Sequence, residues 1–104
     1  MTPVAVVPVA EVQVEGIDEW WRANRLAAPS LFREEFAVAI ELISSAPRIG
    51  RRQRRAGIPG LRRVLLRATR YHVYYAPSAD GLSLYVLAVW SSLRGKGPPL
   101  STLG

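Results

Sequence analysis

Apolar and polar residues alternate along residues 60–75, and this alternation predicts two short strands joined by a tight turn. The predicted apolar face carries Val64, Leu66, Tyr71, Val73 and Tyr75. The opposite face is basic and partly aromatic, and carries Arg63, Leu65, Arg67, Arg70, His72 and Tyr74. Ala68-Thr69 has the length of a two-residue hairpin loop. Because an isolated hairpin is marginal in water, its apolar face requires a cover from the rest of the chain.

Two amphipathic helices in the first half of the chain supply that cover. Residues 9–24 show apolar residues at helical spacing, and Pro8 suits the first turn of such a helix. Its stripe is Ala10, Val14, Ile17 and Trp21, with Trp20 on the shoulder. A second stripe follows Ser30, which is a candidate N-cap, and ends before Pro47. This stripe is Leu31, Phe32, Phe36, Ala39, Ile40 and Ile43.

The remaining apolar segments predict strands on either side of these elements. Residues 4–7 form a β-branched run, and residues 82–90 are apolar on both alternating faces, as in a central strand. The predicted fold is therefore α+β with the order β-α-α-β-β-β, in which the helical hairpin packs on one face of a small antiparallel sheet. We expect a single domain over residues 1–104, with a basic loop at 48–59 and a flexible tail at 95–104.

Charge is divided unevenly along the chain. Residues 1–41 hold seven acids and three arginines, a net −4, while residues 42–104 hold eleven bases and one acid, a net +10, which together give the chain's +6. Nine arginines and no acid lie between Arg48 and Arg70. Such a cluster indicates a polyanionic or acidic partner, and the alternative is a solvated face that only keeps the protein in solution.

Several classes of function are disfavoured by composition. The chain has no cysteine and one histidine, so we expect no disulfide, no metal site and no cofactor. No apolar run reaches the ~20 residues that span a bilayer, and the N-terminus lacks a basic start, so we expect a cytoplasmic protein without a secretory signal. His72 has no obvious carboxylate partner, and a lone histidine is more often a sheet residue than a catalyst.

Five segments, in order, resemble bacterial toxins of the ParE/RelE superfamily, the toxin halves of type II toxin–antitoxin modules. They are A-E-V-Q-V-E-G-I-D-E-W-W at 10–21, A-P-R-I-G at 46–50, G-L-R-R-V-L-L at 60–66, Y-H-V-Y-Y at 71–75 and V-L-A-V-W at 86–90. The resemblance covers nearly the whole chain and implies the same element order. It also implies a cognate antitoxin that wraps the toxin and neutralises it.

The superfamily divides by target. The RelE-like branch cuts mRNA on the ribosome, and its basic positions fall here on Arg63, Leu65, His72 and Ser92, with its C-terminal aromatic at residues 97–98. Arg63 matches and His72 is a plausible substitute, so the resemblance favours the ParE-like branch, which is associated with poisoning DNA gyrase. The alternatives are a ribosome-dependent mRNA endonuclease using Arg63, His72 and Arg94, and a basic nucleic-acid-binding module. Whether the chain is an enzyme stays open.

These interpretations define two sets of contact residues. The expected target-binding set is Arg63, Arg67, Arg70, His72, Tyr74, Arg94 and Lys96. The expected antitoxin-binding set is Arg51, Arg52, Arg54, Arg55 and Trp20. We expect no membrane and no small-molecule substrate among the partners.

Overall fold

A computed structural model describes residues 1–100, and the last four residues of the predicted tail lie outside the described part. Its helices are α1 (Pro8–Asn24) and α2 (Leu31–Ser45), and its strands are β1 (Val4–Val6), β2 (Arg51–Arg52), β3 (Arg62–Leu66), β4 (Tyr71–Pro77) and β5 (Leu84–Ser91). The strand order is β1-β5-β4-β3-β2. The α+β prediction is confirmed: two helices pack on a five-stranded, mostly antiparallel sheet. Two details differ, because β1 pairs in parallel with β5 and β2 adds an edge strand inside the predicted basic loop.

The helices begin and end close to their predicted limits. Pro8 occupies the first turn of α1, where its missing N–H leaves no bond unmade. The predicted capping role of Ser30 is wrong, since its hydroxyl makes no bond to the helix backbone and donates instead to the Glu34 carboxylate at 2.8 Å. The C-terminus of α2 lies beside the N-terminal strand, because the Ser44 hydroxyl donates to the carbonyl of Thr2 at 2.6 Å.

The main core lies between the helices and one face of the sheet, as the hydrophobic pattern predicts. Its buried members are Ala10, Val14, Phe32, Phe36, Ala39, Ile43, Leu66, Val73, Tyr75, Leu84, Val86 and Val89. Phe32 meets the ring of Tyr71 edge-on at 5.3 Å between centroids. Tyr75 also closes the end of the core, because its hydroxyl donates to the Pro47 carbonyl and accepts the Gly50 N–H.

A bulge in β5 changes which side chains share a face. Tyr74 pairs with Ala88 and Tyr75 with Val86, so Leu87 is an extra residue in the ladder. Leu87 and Ala88 consequently both lie in the second cluster, away from Val86. The simple alternation expected along residues 82–90 is therefore wrong beyond this point.

A second, smaller core lies on the sheet face opposite the helices. It contains Ile58, Leu61, Tyr74, Ala76, Leu87 and Ala88, with Tyr85, Trp90 and Leu100 packed against it. Tyr74, which we expected among the target-binding residues, is buried in this cluster, because only 5% of it is exposed. Pro98 is fully buried, and its carbonyl accepts a hydrogen bond from Arg55 at 3.3 Å. Residues 58–61 and 98–100 thus cover part of the predicted basic face.

The β3–β4 turn is longer than predicted. Leu66 pairs with Tyr71, so the loop comprises residues 67–70 rather than Ala68-Thr69 alone. Arg70 adopts a left-handed conformation with φ of 69°. The Glu35 carboxylate accepts the N–H groups of Ala68 and Thr69 and the Thr69 hydroxyl, at 2.7, 3.0 and 2.6 Å. Arg67 and Arg70 therefore lie in the turn, beyond the ends of the strands.

Candidate functional site

On the sheet face opposite the helices, a row of side chains crosses the middle of β3, β4 and β5 and is not covered by the second core. Leu65 on β3 pairs with His72 on β4, which pairs in turn with Trp90 on β5. Arg63 lies two residues along β3 and pairs with Tyr74. Because neighbouring strands are about 4.8 Å apart, these side chains form one continuous surface. We call the patch formed by Arg63, Leu65, Arg70, His72, Trp90 and Arg94 the basic patch.

Arg63 is oriented by the buried Tyr74. Its Nη1 donates to the Tyr74 hydroxyl at 3.2 Å, and its guanidinium carbon lies 6.0 Å from the ring centroid. Among residues 1–100 the Arg63 side chain forms no ion pair, and the one bond to a neutral hydroxyl leaves most of its N–H donors available. Tyr74 thus positions Arg63, whereas sequence analysis placed Tyr74 itself among the target-binding residues.

His72 is half-buried at the centre of the basic patch. Desolvation lowers the pKa of its imidazole below the ordinary value of 6.5, and the charges of Arg63 and Arg70 lower it further. Its ring meets that of Tyr74 edge-on at 6.1 Å between centroids. At neutral pH the imidazole is therefore uncharged, and it has one nitrogen able to accept a proton.

The far end of the basic patch is fixed by the residues that follow β5. The carbonyl of Arg70 accepts both the N–H and the hydroxyl of Ser92, at 2.8 and 2.7 Å. The guanidinium carbon of Arg94 lies 4.4 Å from the ring centroid of Trp90. The indole N–H of Trp90 donates to the carbonyl of Lys96 at 3.0 Å, while the Lys96 side chain is exposed.

No carboxylate forms an ion pair with the arginines of the basic patch within residues 1–100. The ion pairs found there join Asp18 to Arg22 and Arg33, and Glu15 to Arg33, all on the helices. The same residues contain no group of three or more histidine, cysteine or acidic side chains able to hold a metal ion. The basic patch can therefore bind an anion and stabilise negative charge, but it lacks a carboxylate to act as general base.

The predicted antitoxin-binding residues do not form one site. Arg51 and Arg52 form the edge strand β2, directly opposite Arg63 and Arg62, and Arg54 is exposed just after it. Arg55 is tied to the tail through Pro98. Trp20 lies elsewhere: it lines a groove between α1 and β5 with Trp90 and Arg94, three strands away from β2.

Some residues that shape the site were not predicted. Glu35 holds the turn that carries Arg67 and Arg70, Ser92 anchors that turn to β5, and Trp90 supports Arg94. The spacing of Trp90 and Arg94 is no signal of their contact, because residues four apart meet in a helix, whereas these lie at the end of a strand and in the turn after it. Glu35 and Ser92 act across 33 and 22 residues of sequence, a separation that local patterns do not encode.

No protein-family model matches the sequence, and no curated protein matches it as a relative. Neither helix in the described part of the chain is both long enough and apolar enough to cross a bilayer.

Proposed function

We propose that this chain is the toxin component of a type II toxin–antitoxin module, that it is ParE-like, and that it inhibits growth by binding a large target, DNA gyrase. The observation that carries the proposal is the basic patch, which has no carboxylate in ion-pair contact within the described residues. An uncompensated cationic surface on a rigid sheet suits a stable complex with an anionic surface. The resemblance of the five sequence segments to ParE-like toxins supports DNA gyrase as that target.

Binding is favoured over catalysis by the neighbours of His72. Leu65, an apolar residue, lies directly opposite it on β3, where the nuclease branch has a basic side chain. Arg63, Arg67, Arg70, Arg94 and Lys96 are the charged contacts of the proposal, with His72 beside them. The arginines of β2 and its loop are the proposed contacts for an acidic antitoxin segment, which would neutralise the like charges paired there.

The second candidate is the ribosome-dependent mRNA endonuclease. It is favoured by the place of His72, which is half-buried and close to Arg63 and Arg70: desolvation and these two charges lower the pKa of its imidazole. A neutral imidazole can accept a proton from a ribose hydroxyl at neutral pH, while the guanidinium groups stabilise the charge that develops on the phosphate. Arg94, stacked on Trp90, would supply a further phosphate contact.

The test is a paired assay on the purified full chain. Supercoiling by DNA gyrase and cleavage of mRNA on translating ribosomes are measured with the wild type, with Arg63→Ala, and with Arg25→Ala as a control. Arg25 is an exposed arginine on the helical side of the chain, off the sheet. Loss of a charged interface contact typically costs ~2–5 kcal/mol, so Arg63→Ala should abolish gyrase inhibition and growth inhibition while Arg25→Ala retains both.

The two assays separate the candidates. Inhibition of gyrase with intact mRNA supports the proposal, and codon-phased mRNA cuts with gyrase untouched replace it with the endonuclease. Inactivity in both assays at protein concentrations that arrest growth would overturn both targets. The absence of an adjacent small gene encoding a DNA-binding N-terminus and a charged C-terminus would count against the toxin–antitoxin assignment itself.

A further inference from the structure

An exposed apolar stripe runs along the solvent side of α1. Val9, Val12, Gly16 and Trp20 follow one another at intervals of three, four and four residues, which places them on one face of the helix. Val9 is 63% exposed, Val12 72% and Trp20 45%. The buried apolar residues of α1, Ala10 and Val14, point the other way, into the main core. We call these four residues the outer stripe.

Gly16, in the middle of the outer stripe, is not required by any close contact in the described part of the chain. A Cβ atom built on it would meet nothing of residues 1–100 within 4 Å, and its backbone is ordinary α-helix without a positive φ. Glycine disfavours a helix interior relative to alanine, because it gives up more backbone freedom on folding. Gly16 therefore weakens α1 without avoiding any clash inside the fold. The missing side chain leaves space on the solvent side of the helix.

That space connects two grooves. One lies between α1 and α2, where Phe36 and Arg33 form the far wall. The other lies between α1 and β5, has a volume of about 340 Å³, and is lined by Trp20, Trp90 and Arg94. Val12 and Gly16 border both grooves. The ridge that α1 raises between them thus has a notch at Gly16, which suits the ridge of a second helix crossing at this point.

A row of acids flanks the outer stripe and indicates the charge of such a helix. Glu11, Glu15 and Glu19 follow at four-residue intervals along the side that faces α2, and all three are exposed. Glu15 pairs with Arg33 at 3.3 Å, while Glu11 and Glu19 take part in none of the ion pairs of residues 1–100. A row of lysine or arginine on the partner would compensate them.

A second copy of the chain is a poor occupant. In a two-fold dimer with antiparallel α1 helices, the row of Glu11, Glu15 and Glu19 would meet its own copy. Like charges brought together in this way destabilise an interface. In a parallel one the row would meet the opposite flank of α1, which carries no base to compensate it. The basic patch of a second copy is a flat sheet surface, and it has no helix to enter the notch at Gly16.

We propose that the outer stripe of α1 is a docking site for an amphipathic helix of a partner protein. One large apolar side chain of that helix sits over Gly16 between Val12 and Trp20, and a basic row lies along Glu11, Glu15 and Glu19. The outer stripe meets the basic patch at one end, where Trp20 lines the same groove as Trp90 and Arg94. The proposal does not rest on the toxin function.

The test uses a labelled helical peptide of ~18 residues with leucines on one face and a flanking row of lysines. Its binding to the full chain is followed by fluorescence anisotropy at low and at physiological salt. The informative variant is Gly16→Ala: it should raise the midpoint of thermal unfolding, because alanine favours the helix, and still weaken peptide binding about tenfold by filling the notch. Val38→Ala, at a 64% exposed valine of α2, is the matched control.

Each outcome bears on the proposal. Binding that is lost in Gly16→Ala, kept in Val38→Ala and absent for a peptide with glutamates in place of lysines supports it. Equal binding of the peptide by the wild type and by Gly16→Ala would overturn it. So would the failure of the lysine peptide to bind the wild type at about 1 mM, because a Kd of that size corresponds to a binding free energy of only about −4 kcal/mol. Sedimentation showing a wild-type dimer that Gly16→Ala dissociates would also overturn it, in favour of a second copy.

Discussion

His72 is the residue on which the two proposed functions differ most. Sequence analysis placed it on one predicted strand face with Arg63, Leu65 and Tyr74, but did not identify the side chains directly beside it. Those neighbours come from pairing across strands: Leu65 on one side, Trp90 on the other, and Arg63 within electrostatic reach. A protonated imidazole here would be both poorly solvated and repelled by arginines, so the neutral form is stabilised.

This gives a prediction for the titration of His72. Its pKa, measured by NMR from the ring protons, should lie below 6.5, and Arg63→Gln should raise it by removing one repelling charge. Since the folded pKa lies below the unfolded one, the contribution of His72 to stability is present above pH 6.5 and is lost as the pH falls through the folded pKa. Arg25→Gln, off the sheet, is the control. An unchanged pKa in Arg63→Gln would contradict the assigned neighbourhood.

The burial of Asp18 shows that residue type alone does not predict the exposure of a side chain. Asp18 falls among the charged positions of α1, yet only 7% of it is exposed. Burial tends to raise its pKa, but hydrogen bonds from Arg22 and Arg33 outweigh that effect and hold the pKa below the ordinary value. Helical periodicity places Asp18 beside the buried stripe, four residues after Val14, and only its charge suggests the surface. One of the partners that allow its burial is on the other helix, 15 residues away.

Elements were predicted where their signals are local, and missed where they depend on distant partners. The periodicities of α1, α2, β3 and β4 are local, and their predicted limits differ from the observed ones by no more than two residues. β2 has two residues and exists only because it pairs with β3. The bulge at Leu87 is likewise invisible to alternation, since both strand faces are apolar there and a one-residue shift leaves the pattern unchanged.

The β3–β4 turn shows how a long-range contact replaces local turn chemistry. Ala-Thr lacks the residues that favour a two-residue hairpin, and the turn is instead held by three hydrogen bonds to Glu35 on α2. Glu35→Ala should lower the free energy of unfolding by ~1–3 kcal/mol, because buried Thr69 loses its acceptors. Glu41→Ala, at an exposed acid of the same helix, should change it by less than ~0.5 kcal/mol. Equal midpoints of chemical denaturation for the two variants would be inconsistent with this account of the turn.

At the scale of the whole molecule, the sheet is covered on both faces but unequally. The hydrophobic pattern predicted the helical cover and hence the main core. It did not predict the second core, because Ile58 and Leu61 are isolated apolar residues among arginines and glycines. Their effect on the candidate site is direct: they bury Tyr74 and confine the open cationic surface to the region around His72. The uneven distribution of charge in the sequence is also present in the fold, because the ion pairs of residues 1–100 all join helix residues and include none of the sheet arginines.

The second core should be part of the cooperative fold, and truncation of Ile58 tests this. Ile58 is 4% exposed, so Ile58→Ala should cost ~2–5 kcal/mol, whereas Ile49→Ala, at a residue 50% exposed, should cost far less. Phe32→Ala, in the main core, should cost ~3–5 kcal/mol. Because Ile58 and Phe32 lie on opposite faces of the sheet and share no cluster, the two losses should add in the double variant. Chemical denaturation followed by far-ultraviolet circular dichroism measures all four variants. A midpoint for Ile58→Ala equal to that of the wild type would mean that residues 58–61 only rest on the sheet, and Arg63 would then lose the buried tyrosine that orients it.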